Sequence, residues 1–159
     1  MADERELSHL NEAGEVRMVD VGDKAVTDRE AVAEGFVVMS TNLTERFFAG
    51  DLPKGDAAAV ARVAGIMAAK RTAEVIPLCH PIALTGVDLS LEPSGRGIRV
   101  IASVRATNRT GVEMEAMTAV AVASLTIYDM VKGVERDVTI ETLRLLSKSG
   151  GRSGKWERG

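Results

Sequence analysis

Two stretches of this chain alternate apolar and polar residues with a period of two. Val87, Leu89 and Leu91 are interleaved with Asp88, Ser90 and Glu92. After the turn cluster Pro93-Ser94-Gly95-Arg96-Gly97, the residues Ile98, Val100, Ala102 and Val104 resume the same alternation. Such patterns mark half-buried strands, and the turn residues between them predict a hairpin. Longer apolar runs carry a helical signal. Asp56 is a good N-cap for a helix over about 56–75, roughly 30 Å long. Its first part, Ala57 to Ala69, is apolar nearly all round except for Arg62. A helix of that kind needs cover on more than one side, and in so short a chain another subunit fits as the second cover. A further helix is expected over about 113–132, stopping at Gly133. Ser40 or Thr41 caps a short helix that ends near Gly50, Phe36 to Met39 reads as a short buried strand, and a last strand falls near 139–147.

Closer to the N-terminus, Val16, Met18 and Val19 to Val21 predict a short strand. Thr27-Asp28-Arg29-Glu30 has the form of a capping box, which predicts a helix from Thr27 to a stop at Gly35. From Phe36 onward the order is β-α-β-β-α-β, the ferredoxin-like pattern. The expected class is therefore α+β, an antiparallel sheet with helices packed on one face. That fold hosts many functions and decides none of them.

Composition narrows the setting. The 159 residues suggest one domain over 1–159, with 1–14 and 150–159 expected to be flexible. A net charge of −3 gives no global pointer to nucleic acid or to an acidic membrane surface. A single cysteine excludes an intramolecular disulfide and suits a reducing compartment. MADERELSHL has no apolar core of a secretory signal, and no run of about 18 uninterrupted apolar residues exists, so a cytoplasmic protein without a membrane span is expected. Aromatic residues make up only 3%, so the core must rest on small aliphatic side chains that allow close backbone approach.

Candidate chemistry sits at a corner and at two helix ends. In Val75-Ile76-Pro77-Leu78-Cys79-His80-Pro81 two prolines force the chain out of a helix and hold the only Cys beside one of two His. The corner either ends a helix or presents a ligand contact. A zinc site needs three or four ligands at recognisable spacing, and the only other imidazole, His9, lies 71 residues away, so no metal site is expected. On the helix at 113–132, Glu115, Thr118, Val122, Leu125, Asp129 and Lys132 share one face. Asp129 and Lys132 are either a surface ion pair at a helix end, or Lys132 is a proton donor or phosphate contact that Asp129 tunes. Glu115 and Asp129 lie ~21 Å apart along the helix axis, so one small substrate cannot touch both from one chain. If both ends serve catalysis, a neighbouring chain must complete the pocket. Basic residues cluster at the breaks between elements: Arg29, Lys54, Lys70, Arg71, Lys132, Lys148 and Arg152. Together they suit a polyphosphate.

The segments MVDVGDKAVTDREAVAEG (18–35), KGDAAAVARVAGIMAAKRTAEVIPLCHPIALTGV (54–87), TGVEMEAMTAVAVASLTIYDMVKGVERD (110–137) and LSKSGGRSGKW (146–156) together resemble one family, cyclic pyranopterin monophosphate synthase of molybdenum cofactor biosynthesis. The resemblance spans nearly the whole chain. It implies conversion of (8S)-3′,8-cyclo-7,8-dihydroguanosine 5′-triphosphate to cyclic pyranopterin monophosphate with release of diphosphate. It also implies a homohexamer, a trimer of dimers with pockets between subunits, and no required cofactor, although Mg²⁺ is compatible with the triphosphate. Carried over by motif, Asp129 and Lys132 are the catalytic pair. Leu78, Cys79, His80, Glu113, Met114 and Glu115 line the substrate pocket, and Lys54, Arg29, Lys70 and Lys148 contact phosphate or base. One departure is Arg152, where the family motif carries Lys; Arg binds phosphate bidentately but does not readily shuttle protons.

Two rivals share the scaffold. A non-enzymatic nucleotide-binding module would need the basic cluster but not Asp129 with Lys132. An RNA-recognition module stacks bases on sheet aromatics, and the strand GIRVIASVRAT has none.

Overall fold

The computed structural model describes residues 9–159. Of the segment 1–14 expected to be flexible, residues 1–8 lie outside that range. One antiparallel five-stranded sheet in the order β2-β3-β1-β4-β5 carries the chain. Its strands are β1 (Thr27–Val38), β2 (Gly86–Ser94), β3 (Gly97–Asn108), β4 (Thr139–Ser149) and β5 (Trp156–Glu157). The helices are α1 (Thr41–Ala49), α2 (Ala57–Lys70), α3 (Thr72–Val75) and α4 (Glu113–Val131). They gather on one face of the sheet, as the α+β expectation required. The hairpin β2–β3 and the helices α1 and α4 fall where the hydrophobic pattern put them. Ser40 caps α1 by accepting from the Leu43 amide, and Gly50 closes it at φ 71°.

The main correction lies at 27–38. The expected helix from Thr27 to Gly35 is a strand, continuous with the short strand expected at Phe36. Helix propensity in Ala31, Ala33 and Glu34 loses to pairing on both sides, with β3 and with β4. The supposed capping box does not cap. Thr27 Oγ1 is buried without a partner among the described residues, and Glu30 Oε1 accepts from Ser103 on the neighbouring strand. Ala31, Ala33 and Val37 point to the helix layer and are fully buried. Gly35 faces the same way, and a Cβ there would lie 2.9 Å from Val120 Cγ1. Small side chains on β1 thus let α4 lie close over the sheet.

The opposite face of β1 carries Glu34, which is buried although no helix covers it. Arg99 and Arg144, from the strands on either side, each approach its carboxylate to 2.7 Å. Burial alone would raise this carboxyl, but hydrogen bonds from Arg144 and Arg99 outweigh that and hold it below the usual carboxylate range.

Three smaller differences matter for the site. The helix expected over 56–75 breaks at Arg71 into α2 and α3, where Thr72 Oγ1 turns back to the Ala68 and Ala69 carbonyls. Residues 16–21 form no strand, only a bridge between Val16 and Leu10. The tail expected to be flexible returns as β5, pairing with Ser147 and Lys148 of β4. By length and composition alone α4 is apolar enough to cross a membrane, but half of that window is buried inside the domain. Ala116, Ala119, Val120, Ala123, Ile127 and Val131 of α4 are wholly buried, so this helix is core.

Candidate functional site

The first turn of α4 puts two carboxylates, Glu113 and Glu115, at a helix N-terminus, where the dipole favours negative charge. The proline corner after α3 brings Leu78, Cys79 and His80 opposite them. Together with Met114, Lys24, Val19 and His9 these residues line a cleft of about 420 Å³. A second cleft of about 510 Å³ shares Lys24, Thr110, Gly111 and Glu113 with the first and adds Arg29, Arg109, Lys148 and Arg152.

Each cation there is set by its element. Arg29 leaves the helix-facing side of β1, and its guanidinium donates to the Asn108 and Arg109 carbonyls at the end of β3. Lys148, near the end of β4, donates to Glu113 Oε1 at 2.9 Å. The following turn needs glycine. Gly150 and Gly151 sit at φ 98° and 72°, and a Cβ on either would run into Asp28 or Arg29. That turn carries Arg152 to the rim of the cleft. Five cations against one carboxylate make the larger cleft receptive to an anion.

Glu115 closes the floor of the smaller cleft and is only 3% exposed. Burial pushes its carboxyl up to about 7, its own backbone amide opposes that, and the neighbouring Glu113 adds to the rise. Near neutral pH this group therefore both gives and takes a proton readily. Burial, with Glu115 adding, also pushes the Cys79 thiol up, so Cys79 sits in the cleft as a thiol rather than a thiolate. On the far side of Glu115 a recess of about 300 Å³ holds Lys70 together with Arg71, Thr72 and Ile82.

The opposite end of α4 carries a separate cluster. Asp129 is gripped by two lysines: Lys132 Nζ lies 2.7 Å from Oδ1 and Lys54 Nζ 3.0 Å from Oδ2. Lys54 also donates to the Asp129 carbonyl at 2.7 Å. Hydrogen bonds from Lys132 and Lys54 hold the Asp129 carboxyl below its ordinary range, and the bond to Asp129 raises Lys132. At neutral pH Asp129 is therefore a carboxylate and Lys132 an ammonium group.

The structure thus sorts the expected site residues into two sets. Leu78, Cys79, His80, Glu113, Met114, Glu115, Arg29 and Lys148 converge at the N-terminal end of α4, with Lys70 just beyond. Asp129, Lys132 and Lys54 meet at the C-terminal end, ~21 Å away by helix rise. Sequence reasoning missed Lys24, Arg109, Thr110 and Gly111 as cleft residues. They stand inside or beside the GDK and TGVEMEA runs, and the resemblance those runs carry was the signal that could have found them. Among the described residues no three His, Cys, Asp or Glu side chains gather as a metal-binding group.

Fold and cleft define an α+β, ferredoxin-like protein that offers an anion-receptive cleft beside a carboxyl titrating near neutrality. Residues 18–151 match the MoaC family, and the chain belongs to that family. It is 57% identical over 155 residues to the cyclic pyranopterin monophosphate synthase of Chloroflexus aggregans, covering 96% of this chain and 94% of that protein. Cyclic pyranopterin monophosphate synthase 2 of Mycobacterium bovis is 55% identical over 153 residues, covering 96% and 92% respectively. The synthase of Roseiflexus castenholzii is 55% identical over 152 residues, covering 94% and 96%.

Proposed function

We propose that this chain is a cyclic pyranopterin monophosphate synthase of molybdenum cofactor biosynthesis. It acts in the cytoplasm as one domain over 1–159. It takes (8S)-3′,8-cyclo-7,8-dihydroguanosine 5′-triphosphate and releases diphosphate as the cyclic phosphate closes. The observation that carries the proposal is the pairing of an anion-receptive cleft at one end of α4 with the lysine-gripped Asp129 at the other, in a chain of this family.

In this account the triphosphate lies along Arg29, Lys148 and Arg152, whose charges stabilise the leaving diphosphate. The base lies against Leu78, Cys79, His80 and Met114, with Glu113 accepting from its N–H edge and Glu115 exchanging protons during ring opening and pterin closure. Lys132 enters the reaction charged and acts as the acid, while Asp129 and Lys54 fix its position. The chemistry rests on side chains without a resident cofactor, and any Mg²⁺ travels with the triphosphate.

The two clusters work together only when different chains supply them, so the active form is an oligomer, read here as a hexamer built from three dimers. The surface of the helix layer supports this. Val63 and Leu125 are 57% and 59% exposed, and an apolar groove of about 330 Å³ runs between α2 and α4 past Met67, Val75 and Val122.

Diphosphate release from the cyclised triphosphate tests the proposal, comparing the wild type with Lys132→Ala and Asp129→Ala at matched oligomeric state. Release by the wild type and its loss in both folded variants is expected. Binding without release by the wild type would replace the synthase with a nucleotide-binding module.

A further inference from the structure

The segment before β1 crosses the mouth of both clefts without belonging to the sheet. Among the described residues its backbone ladder is internal, the Leu10–Val16 bridge and the bond from the Arg17 amide to the His9 carbonyl at 2.8 Å. Most of its residues are exposed, so packing does little to hold it. Among the described residues its hydrogen bonds to the body are two, both from side chains to its backbone. His80 Nε2 lies 2.7 Å from the Val19 carbonyl oxygen, and Arg109 donates through Nη1 to the Gly22 carbonyl at 2.8 Å. Between these points the loop is preformed. The Gly22 amide donates to Asp20 Oδ1 at 2.8 Å, and the Lys24 amide to the Val21 carbonyl at 3.1 Å. The result is a short strap, closed on itself and pinned at two places, that brings Lys24 to the lining of both clefts.

Arg109 has a second connection. Its own carbonyl accepts from the Arg29 guanidinium at 3.1 Å, so one residue grips the strap with its side chain and a cleft arginine with its backbone. A charged guanidinium on a carbonyl is a stronger tie than a neutral donor would make. A loop with little burial otherwise opens at low cost.

We propose that Arg109 is a positioning residue: with His80 it clasps the strap Val19–Lys24 over the cleft and thereby holds Lys24 toward the bound anion. The ligand's identity rests on the synthase reading above, but the clasp does not, and the experiment separates them. Trypsin cuts after Arg17 and Lys24, the two basic residues that flank the clasped loop. When opening is fast relative to cutting, the cutting rate follows the opened population. In the ligand-free protein, Arg109→Ala is expected to raise cleavage at these sites about tenfold, and Arg109→Lys, which keeps a charge but not the planar fork, to give a smaller rise. With the cyclised dihydroguanosine triphosphate as substrate, Arg109→Ala is expected to raise KM about tenfold and to change kcat much less. Unchanged cleavage in Arg109→Ala overturns the proposal whatever happens to turnover, because an arginine that only touches substrate would lower activity without loosening the strap. If the alanine variant fails to assemble, the lysine variant is read the same way. Faster cutting at both sites with no diphosphate release by the wild type would leave the clasp standing and sink the synthase reading instead.

Discussion

Glu115→Gln separates the cost of holding a carboxyl in the cleft from its use. Glu115 is held at about 7 in the fold against 4.5 for an ordinary carboxyl. Below about 4.5 both the folded and the unfolded chain carry it protonated, and it costs the fold nothing on this account. Between about 4.5 and 7 the unfolded chain has released a proton that the folded chain keeps, so stability falls as pH rises. Above 7 the folded state must hold the charge, and the full cost of about 3 kcal/mol applies. Glutamine has nearly the same shape and no charge, so its own burial cost is the same at every pH. The stability advantage of Glu115→Gln over wild type should therefore grow by about 2–3 kcal/mol between pH 5 and pH 8.5. For a chain of this size that is about 5–10 °C in the difference between melting temperatures. Thermal melts of both proteins across that range measure it, with diphosphate release recorded alongside. Activity should fall in the variant even as its melting temperature rises, because glutamine cannot exchange the proton. A stability difference that stays flat from pH 5 to 8.5 would show that Glu115 is not a raised carboxyl and would remove it as the proton exchanger.

Two further substitutions probe the helix layer. Leu125→Glu places a charge on a residue 59% exposed in the single chain, so the isolated fold should tolerate it while the assembly falls apart, a change that sedimentation reads directly. An assembly of unchanged size would move the interface elsewhere. Gly65→Ala adds a Cβ that runs into Leu89 and comes 3.0 Å from the Ala119 carbonyl oxygen of α4. Overpacking costs about 1–3 kcal/mol, and the gain in helix propensity returns about 1, so the variant should melt lower by a net of about 1 kcal/mol; a higher melting temperature would refute the close α2–α4 packing.

Much of the fold was legible because local and tertiary signals agree. The alternation at 87–91 and 98–104, the Ser40 and Asp56 caps and the apolar run of α4 each point to what the structure contains. At 27–35 they disagree. Ala31, Ala33 and Gly35 are on the buried side of a central strand, where smallness serves close packing of α4, yet as a local pattern they read as a helix with its stop. The two-ended division of the site was legible from spacing along one helix. The partner of Asp129 was legible only in part: Lys132 lies three residues away, but Lys54 arrives from 75 residues upstream through the packing of α2 beside α4. The strap was invisible for a related reason. Its ties run to main-chain carbonyls, which any residue supplies, so nothing in Val19 or Gly22 marks them as partners of His80 and Arg109.

The most direct test of a site shared between chains is complementation. Lys132→Ala and Lys148→Ala disable opposite ends of α4, and each alone should release almost no diphosphate. Unfolded together and refolded as mixed assemblies, they should regain a substantial part of wild-type release, because some interfaces then pair an intact cleft with an intact Lys132. Mixed assemblies that stay as inactive as either parent would contradict the two-chain site and return the chemistry to one end of a single chain.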